Sequence, residues 1–122
     1  HAFIWAKNNE ALWSNYPQKA AIMMQMRFDG YIGFPGGIID PEDESWEAGL
    51  NRELSEEIGL EEAFYLNKNN YLFSSITHQG KLVLHFYLRE VTIDDYKLIE
   101  KKTLESVDYG LEVTGIVRPV LY

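Results

Sequence analysis

The stretch Ser45-Trp-Glu-Ala-Gly-Leu-Asn-Arg-Glu-Leu-Ser-Glu-Glu-Ile-Gly-Leu60 sets the spacing from which the rest of the chain can be read. Trp46, Leu50 and Leu54 recur every four residues, which places them on one stripe of a helix. Gly59 follows the last periodic position as a C-terminal stop, since glycine enters the left-handed region without steric cost. The spacing predicts a helix from about Ser45 to Ile58, its Trp46, Leu50 and Leu54 stripe turned toward a sheet. Glu53, Glu56 and Glu57 stand at i, i+3 and i+4, so three carboxylates share one face, with Glu53 and Glu57 at the margin of the apolar stripe. Like charges at this spacing repel, and desolvation raises their pKa values. Hard divalent cations with oxygen ligands relieve both problems. Taken without its context, the same pattern also suits a plain solvated helix face.

The context adds two features. Arg52 directly precedes the acids and can pair with one of them, fixing its rotamer. Upstream, Phe34-Pro-Gly-Gly37 is a loop whose missing side chains let a ligand approach the backbone, where carbonyls can complete a metal shell.

Outward from the helix, the apolar run His1–Ala6 predicts a first strand, and Lys7-Asn-Asn-Glu10 a polar loop. Ala20–Arg27 reads as a second strand, and Phe28-Asp-Gly30 as a turn ahead of Tyr31 and Ile32, giving a hairpin. Tyr71–Ile76 and Leu82–Arg89 predict two more strands. Thr92 with Asp95 three residues on forms a capping pattern, starting a second helix that runs to about Leu104. Leu111–Val117 predicts a last strand, with Pro119 barred from donating to any further ladder. Helices interleaved with strands and hairpins indicate a mixed-sheet α/β sandwich. The 122 residues suffice for one core and not two, and no repeat or linker divides them.

Composition narrows the function. With no cysteine, neither a disulfide framework nor a thiolate metal site holds the fold. No apolar stretch approaches a membrane span and no secretory pattern is visible, so the expectation is a soluble intracellular protein with no membrane partner. The formal charge of −8 opposes non-specific nucleic-acid binding, which needs clustered Lys and Arg. An acidic protein can still act on phosphates when bound cations supply the positive charge.

Arg52-Glu-Leu-Ser-Glu-Glu-Ile-Gly-Leu60 resembles the core of the Nudix box, Arg-Glu-apolar-x-Glu-Glu-x-Gly-apolar. Glu44 stands eight positions before Arg52, as in that box, but six residues separate Gly37 from Glu44 where the usual box has five. Glu44 is therefore either the outlying acid of the box or an acid stabilised at a helix N-terminus by the macrodipole. Met24-Gln-Met-Arg-Phe-Asp-Gly30, Gly33-Phe-Pro-Gly-Gly37, Gly49–Leu54, His85-Phe-Tyr87 and Gly110-Leu-Glu-Val113 extend the likeness to the snoRNA-decapping, inosine-diphosphate-hydrolysing Nudix enzymes.

What the resemblance implies is an α/β/α sandwich with a mixed sheet, a Mg2+ or Mn2+ requirement and a homodimer of the nucleus, nucleolus and cytoplasm. The implied substrates are (deoxy)inosine or guanosine phosphates and the caps of RNA. By the same resemblance Glu53 and Glu57 are metal ligands with a carbonyl of Gly36 or Gly37, Glu56 is a ligand or base, and Arg52 belongs to the catalytic set. Glu112 is a further ligand or the base; its other reading is an exposed acid at a strand edge. His1, Arg27 and Phe34 match a purine pocket, where aromatic and guanidinium planes stack and His or Arg donates to the O6 acceptor. Their plain readings are strand-start filler, a strand-end charge and core. The family often has a histidine after Ser74-Ser75; here Ile76 follows, and His78 is the nearest substitute. His85, inside an apolar run, reads as a hydrogen-bonded core residue. Relatives continue past the position of Tyr122 with a helical segment that adds to the pocket, so a chain ending there is expected to have a less complete one.

Two other functions compete. One is a Nudix pyrophosphatase for ADP-ribose-like dinucleotides, which the box alone does not separate. The other is a catalytically dead scaffold, against which the three retained glutamates count. An RNA-binding module is disfavoured by the acidic charge.

Overall fold

The computed structural model describes residues 1–77 and 80–122, and among these are ten strands, two α-helices and two short 3-10 helices, Glu62–Phe64 and Lys68–Asn70; the strands and α-helices position the site. In order they are β1 Ala2–Lys7, β2 Ala11–Leu12, β3 Tyr16–Pro17, β4 Ala20–Ile22, β5 Met24–Arg27, β6 Ile32–Gly33, α1 Trp46–Ile58, β7 Tyr71–Ile76, β8 Val83–Val91, α2 Ile93–Thr103, β9 Val113–Val117 and β10 Val120–Leu121. A five-stranded sheet has the order β10-β4-β1-β8-β7 and a three-stranded one β6-β5-β9, while β2 and β3 form a separate hairpin. The larger sheet is mixed, since β1 runs parallel to β8 and antiparallel to β4. The architecture is the mixed α/β one expected and is consistent with a Nudix-type α/β/α sandwich. No helix among the described residues is long and apolar enough to cross a membrane.

Strand alternation places the core. Ala2, Ile4 and Ala6 of β1 are fully buried on one face and join Leu50, Leu54 and Ile58 of α1 and Tyr96 and Ile99 of α2. Burying each large aliphatic side chain contributes about 1.5–3 kcal/mol, which ties both helices to the sheet. The caps follow the sequence. Ser45 accepts from Ala48 N–H at 3.0 Å, Gly59 ends α1 at φ 64°, and Thr92 accepts from Asp95 N–H at 3.1 Å.

Three expectations need correction. The run Ala20–Arg27 is two strands in two sheets, parted at the buried Met23, whose N–H bonds to Ile4 O. The partner segment breaks opposite it. β9 pairs with β5, and after Pro119 the chain resumes as β10 against Ala20 and Ala21, so the proline interrupts the ribbon without ending it. Its own carbonyl still accepts from Ile22 N–H. Next, Leu111 and Glu112 precede β9 and are held by Asp108 O, which accepts from the N–H groups of Leu111, Glu112 and Val113. Lastly, Trp46 leaves the core stripe: it is 57% exposed, because the first helical residue lies beyond the edge that Leu50 and Leu54 cover. The short β2–β3 hairpin, with Trp13 and Ser14 at positive φ, carries no glycine or Asn-Gly turn to announce it.

Candidate active site

Four segments converge around the carboxylates: α1, the Phe34–Gly37 loop, β5 and the turn ahead of β9. Helical spacing puts Glu57 one turn past Glu53, on the side where α1 meets the sheet, and Glu57 is only 5% exposed. Its two oxygens are held by different elements. Gly36 N–H donates to Oε2 at 2.6 Å, and Gln25 Nε2 of β5 donates to Oε1 at 2.9 Å. Gln25 Oε1 is buried without a partner among the described residues, so its amide can turn to meet either a donor or an acceptor.

Gly36 and Gly37 are tight for different reasons. Gly36 has φ +119°, and a Cβ there would meet the His1 backbone at 2.9 Å. At Gly37 a Cβ would fall on the Glu53 carboxylate, 1.9 Å from Oε2, so the absent side chain is what lets Glu53 lie against the loop.

Arg52 gathers the remaining acids. Its guanidinium reaches Glu53 at 2.7 Å, Glu56 at 3.2 Å, Asp43 at 3.1 Å, Asp40 at 3.2 Å and the Ile38 carbonyl at 3.3 Å. These contacts raise the Arg52 pKa and hold Asp43 below the usual carboxylate range. Asp40 and Asp43, not Glu44, are the acids that the loop presents to Arg52, and Asp43 also accepts from Asp40 N–H at 2.8 Å. Glu44 is exposed just before the Ser45 cap.

Burial pushes the pKa of Glu57 up; Gly36 N–H and Gln25 oppose the shift, and the charges of Glu53 and Glu112 add to it. Glu53 is raised by burial too, against the pull of Arg52, with Glu56 and Glu112 repelling it. Glu112 is exposed rather than set in a strand edge, yet it lies near enough for its charge to act on both helix acids and on Arg27. Four oxygen-donor groups thus share one region with too little positive charge, a donor set whose chemistry fits a hard divalent cation. Among the described residues no three His, Asp or Glu side chains are gathered closely enough to hold a metal ion; the oxygens of Glu53, Glu56 and Glu57 are bonded instead to Arg52, Gln25 and Gly36 N–H.

A cavity of about 470 Å3 adjoins these groups, bounded by His1, Arg27, Gly36, Gly37, Trp46 and His85 among others. Two of the three pocket residues expected from the sequence line it. His1 Nδ1 is enclosed without a partner among the described residues, and Arg27 pairs with Asp29 at 3.0 Å. Phe34 is elsewhere: it is half-buried outside the main core cluster, edge-on to Phe3 with centroids 4.1 Å apart. His85 corrects the core reading. It is half-buried, stacks on Trp46 at 4.4 Å and bonds through Nδ1 to Ser74 Oγ at 2.7 Å. His78 lies outside the described residues.

Sequence reasoning missed Gln25, Asp40, Asp43 and Asn51. A lone amide in the apolar run Met23–Met26 was the available signal for Gln25. Asn51 is buried on α1, its Nδ2 donating to Leu66 O and its Oδ1 accepting from Leu66 N–H, both at 2.9 Å. That pair ties α1 to the segment that follows it, and nothing local in the sequence announces it.

Comparison with known proteins agrees over the whole chain. Residues 1–122 match the family model described as Nudt16-like: U8 snoRNA-decapping enzyme-like. The U8 snoRNA-decapping enzyme of Mus musculus is 42% identical over 123 residues, covering all of this chain and 63% of its own length. That of Homalodisca vitripennis is 43% identical, with all of this chain and 65% of its own length covered. The Tudor-interacting repair regulator protein of Gallus gallus is 42% identical, again over all of this chain but over 38% of its own length. The chain therefore spans less than two thirds of the length of these relatives.

Proposed function

The chain belongs to the Nudt16-like family, and from that premise we propose that it is a Nudix hydrolase splitting the diphosphate linkage of nucleotides, with (deoxy)inosine or guanosine phosphates and RNA caps as substrates. The observation that carries this reading is the buried Glu57 carboxylate, clamped by Gly36 N–H and Gln25 beside Glu53 and within reach of Glu112's charge. A fold gains nothing from collecting desolvated acids unless a cation shares them.

Glu53, Glu56, Glu57 and Glu112, with the Gly36 carbonyl, would hold Mg2+ or Mn2+. When bound, such an ion neutralises phosphate oxygens and acidifies water. The chain's own groups prepare the site. Gln25 and Gly36 N–H fix the Glu57 rotamer, and Arg52 positions Glu53 and Glu56 without touching substrate. Glu56 and Glu112 are the more exposed acids and the candidates to accept the proton of the attacking water. In this reading Arg27 and His1, which line the adjoining cavity, donate to the O6 acceptor of hypoxanthine or guanine, which adenine lacks. The working unit in this reading is a homodimer, measurable by light scattering.

A second reading, a binding protein without turnover, draws support from the repair regulators of similar identity. One assay separates the two. Release of phosphate or nucleotide is followed from IDP, GDP, ADP-ribose and a capped RNA, each with Mg2+, Mn2+ or EDTA. Cleavage dependent on the metal and favouring IDP or the cap supports the proposal. Preference for ADP-ribose leaves only the general Nudix chemistry, and no cleavage by a folded protein moves the binding reading to first place.

A further inference from the structure

Trp46 is the first residue of α1 and stands at the mouth of the cavity with more than half of its surface in solvent. Its ring is supported from behind. The His85 imidazole stacks on it at 4.4 Å and 19°, His85 Nδ1 is fixed by Ser74 Oγ, and Ser74 Oγ is fixed in turn by Tyr71 OH at 2.8 Å. Tyr71, itself 48% exposed, meets Tyr87 edge-on at 5.7 Å. An exposed tryptophan backed in this way is a preorganised platform, because the ordering cost of its ring is already met within the protein.

A second cavity, about 520 Å3, opens beside the first and shares Trp46 and Tyr87 with it as a common wall. Ser45, Glu47, Lys68 and Tyr71 complete its lining. Glu47 is engaged by Tyr87 OH at 3.0 Å, which leaves Lys68 as the lining cation among the described residues. Aromatic planes with a single cation suit a base that stacks and a phosphate that follows it. One lysine in a protein of net charge −8 suits one nucleotide and not a strand, since tracking a backbone requires a basic stripe.

We propose that this second cavity receives the nucleoside on the far side of the substrate's diphosphate or polyphosphate bridge, its base stacked on Trp46 and Tyr71 and its phosphate beside Lys68. The inference rests on the hydrolase reading above and deepens it. The preferred substrates are then two-nucleoside compounds, either a free cap dinucleotide or the first nucleotide of a capped RNA, over nucleoside diphosphates.

Equilibrium binding in EDTA tests the subsite without requiring turnover. IDP, the cap dinucleotide GpppA and a capped ten-nucleotide RNA are titrated against wild type, Trp46→Leu, Trp46→Phe and Lys68→Ala, and the ratio of the IDP Kd to the dinucleotide Kd is compared. Trp46→Leu should lower that ratio roughly tenfold or more, the scale of one lost base–aromatic stack, and Trp46→Phe should retain most of it. Lys68→Ala should lower it less. A ratio unmoved by Trp46→Leu overturns the proposal, as does equal weakening of IDP and dinucleotide, which would make Trp46 only a wall of the first cavity. Should Trp46→Leu fail to fold, Tyr71→Ser and Lys68→Ala, both at exposed positions, carry the same comparison. A gain confined to the capped RNA assigns the subsite to RNA ends, and an equal gain for GpppA assigns it to any linked nucleoside. Absence of turnover in wild type with the Trp46-dependent ratio intact sinks the hydrolase reading alone.

Discussion

Adjacent glycines should give opposite results when each receives one methyl group. At Gly36 the backbone has φ +119°, and the new Cβ would lie 2.9 Å from the His1 Cα and 3.1 Å from Leu50 Cδ1. The backbone conformation costs an alanine about 1–3 kcal/mol. Crowding against backbone and a packed leucine costs ~1–3 kcal/mol more, offset by the ~0.4–1 kcal/mol gained through the stiffer unfolded chain. Gly36→Ala should therefore lose roughly 1–6 kcal/mol, a sizeable part of the ~5–15 kcal/mol that holds a domain together. With a urea m-value of about 2 kcal/mol/M, the midpoint should fall by roughly 0.5–3 M. Gly37→Ala meets only the movable end of Glu53, at 1.9 Å. The Glu53–Arg52 pair it disturbs is worth at most about 1 kcal/mol, so stability should stay within about 1 kcal/mol of wild type while metal-dependent turnover falls, because Glu53 is pushed off the loop. Urea melts of both variants followed by fluorescence, with activity measured in Mg2+, decide the matter. A midpoint drop below about 0.5 M for Gly36→Ala, or full activity in Gly37→Ala, refutes the reasoning.

Further expectations concern the acids and the Asn51 tie. Glu57→Gln should abolish turnover with the fold intact, since the amide keeps the volume and Gln25 can turn its unpartnered Oε1 to accept from it; substantial residual activity would count against the metal assignment. Burial lifts the Glu57 pKa above its ordinary 4.5, so the folded state holds its proton longer than the unfolded one. The stability tied to that proton is complete below pH 4.5 and is lost as pH rises through the folded value. In EDTA the ΔG of Glu57→Gln relative to wild type should therefore climb with pH, and Mg2+ should close the gap by stabilising wild type alone; a flat difference across pH would refute the shift. Asn51→Ala leaves Leu66 N–H and C=O unpaired in a buried place, costing about 2–5 kcal/mol, and a loss under 1 kcal/mol in a chemical melt would mean that water replaces the amide. Ser45→Ala removes the α1 cap and should cost ~1 kcal/mol in the same melt.

Local chemistry alone fixed the two helices and their caps, because Ser45, Gly59 and Thr92 act on groups within a few residues of themselves. It also placed Glu53 and Glu57 on one face, since helical periodicity is a local property. The sequence did not determine where that face would be buried. Glu57 became nearly inaccessible because β5 and the glycine loop close over it, and the β4–β5 break that carries Gln25 there depends on pairing with residues about ninety positions away. Trp46 has the same spacing as Leu50 and Leu54 but ends in solvent against His85, because periodicity assigns a side chain to a face and not to the part of that face the sheet covers. The Asn51–Leu66 tie and the Asp43–Arg52 pairing are likewise meetings between segments, settled by how loops fold back on α1. What the sequence determined by itself was the chemical inventory and its local register. Which acids are desolvated, what clamps them and which aromatic ring lines the cavities were decided by tertiary packing, since burial and electrostatics depend on neighbours in space.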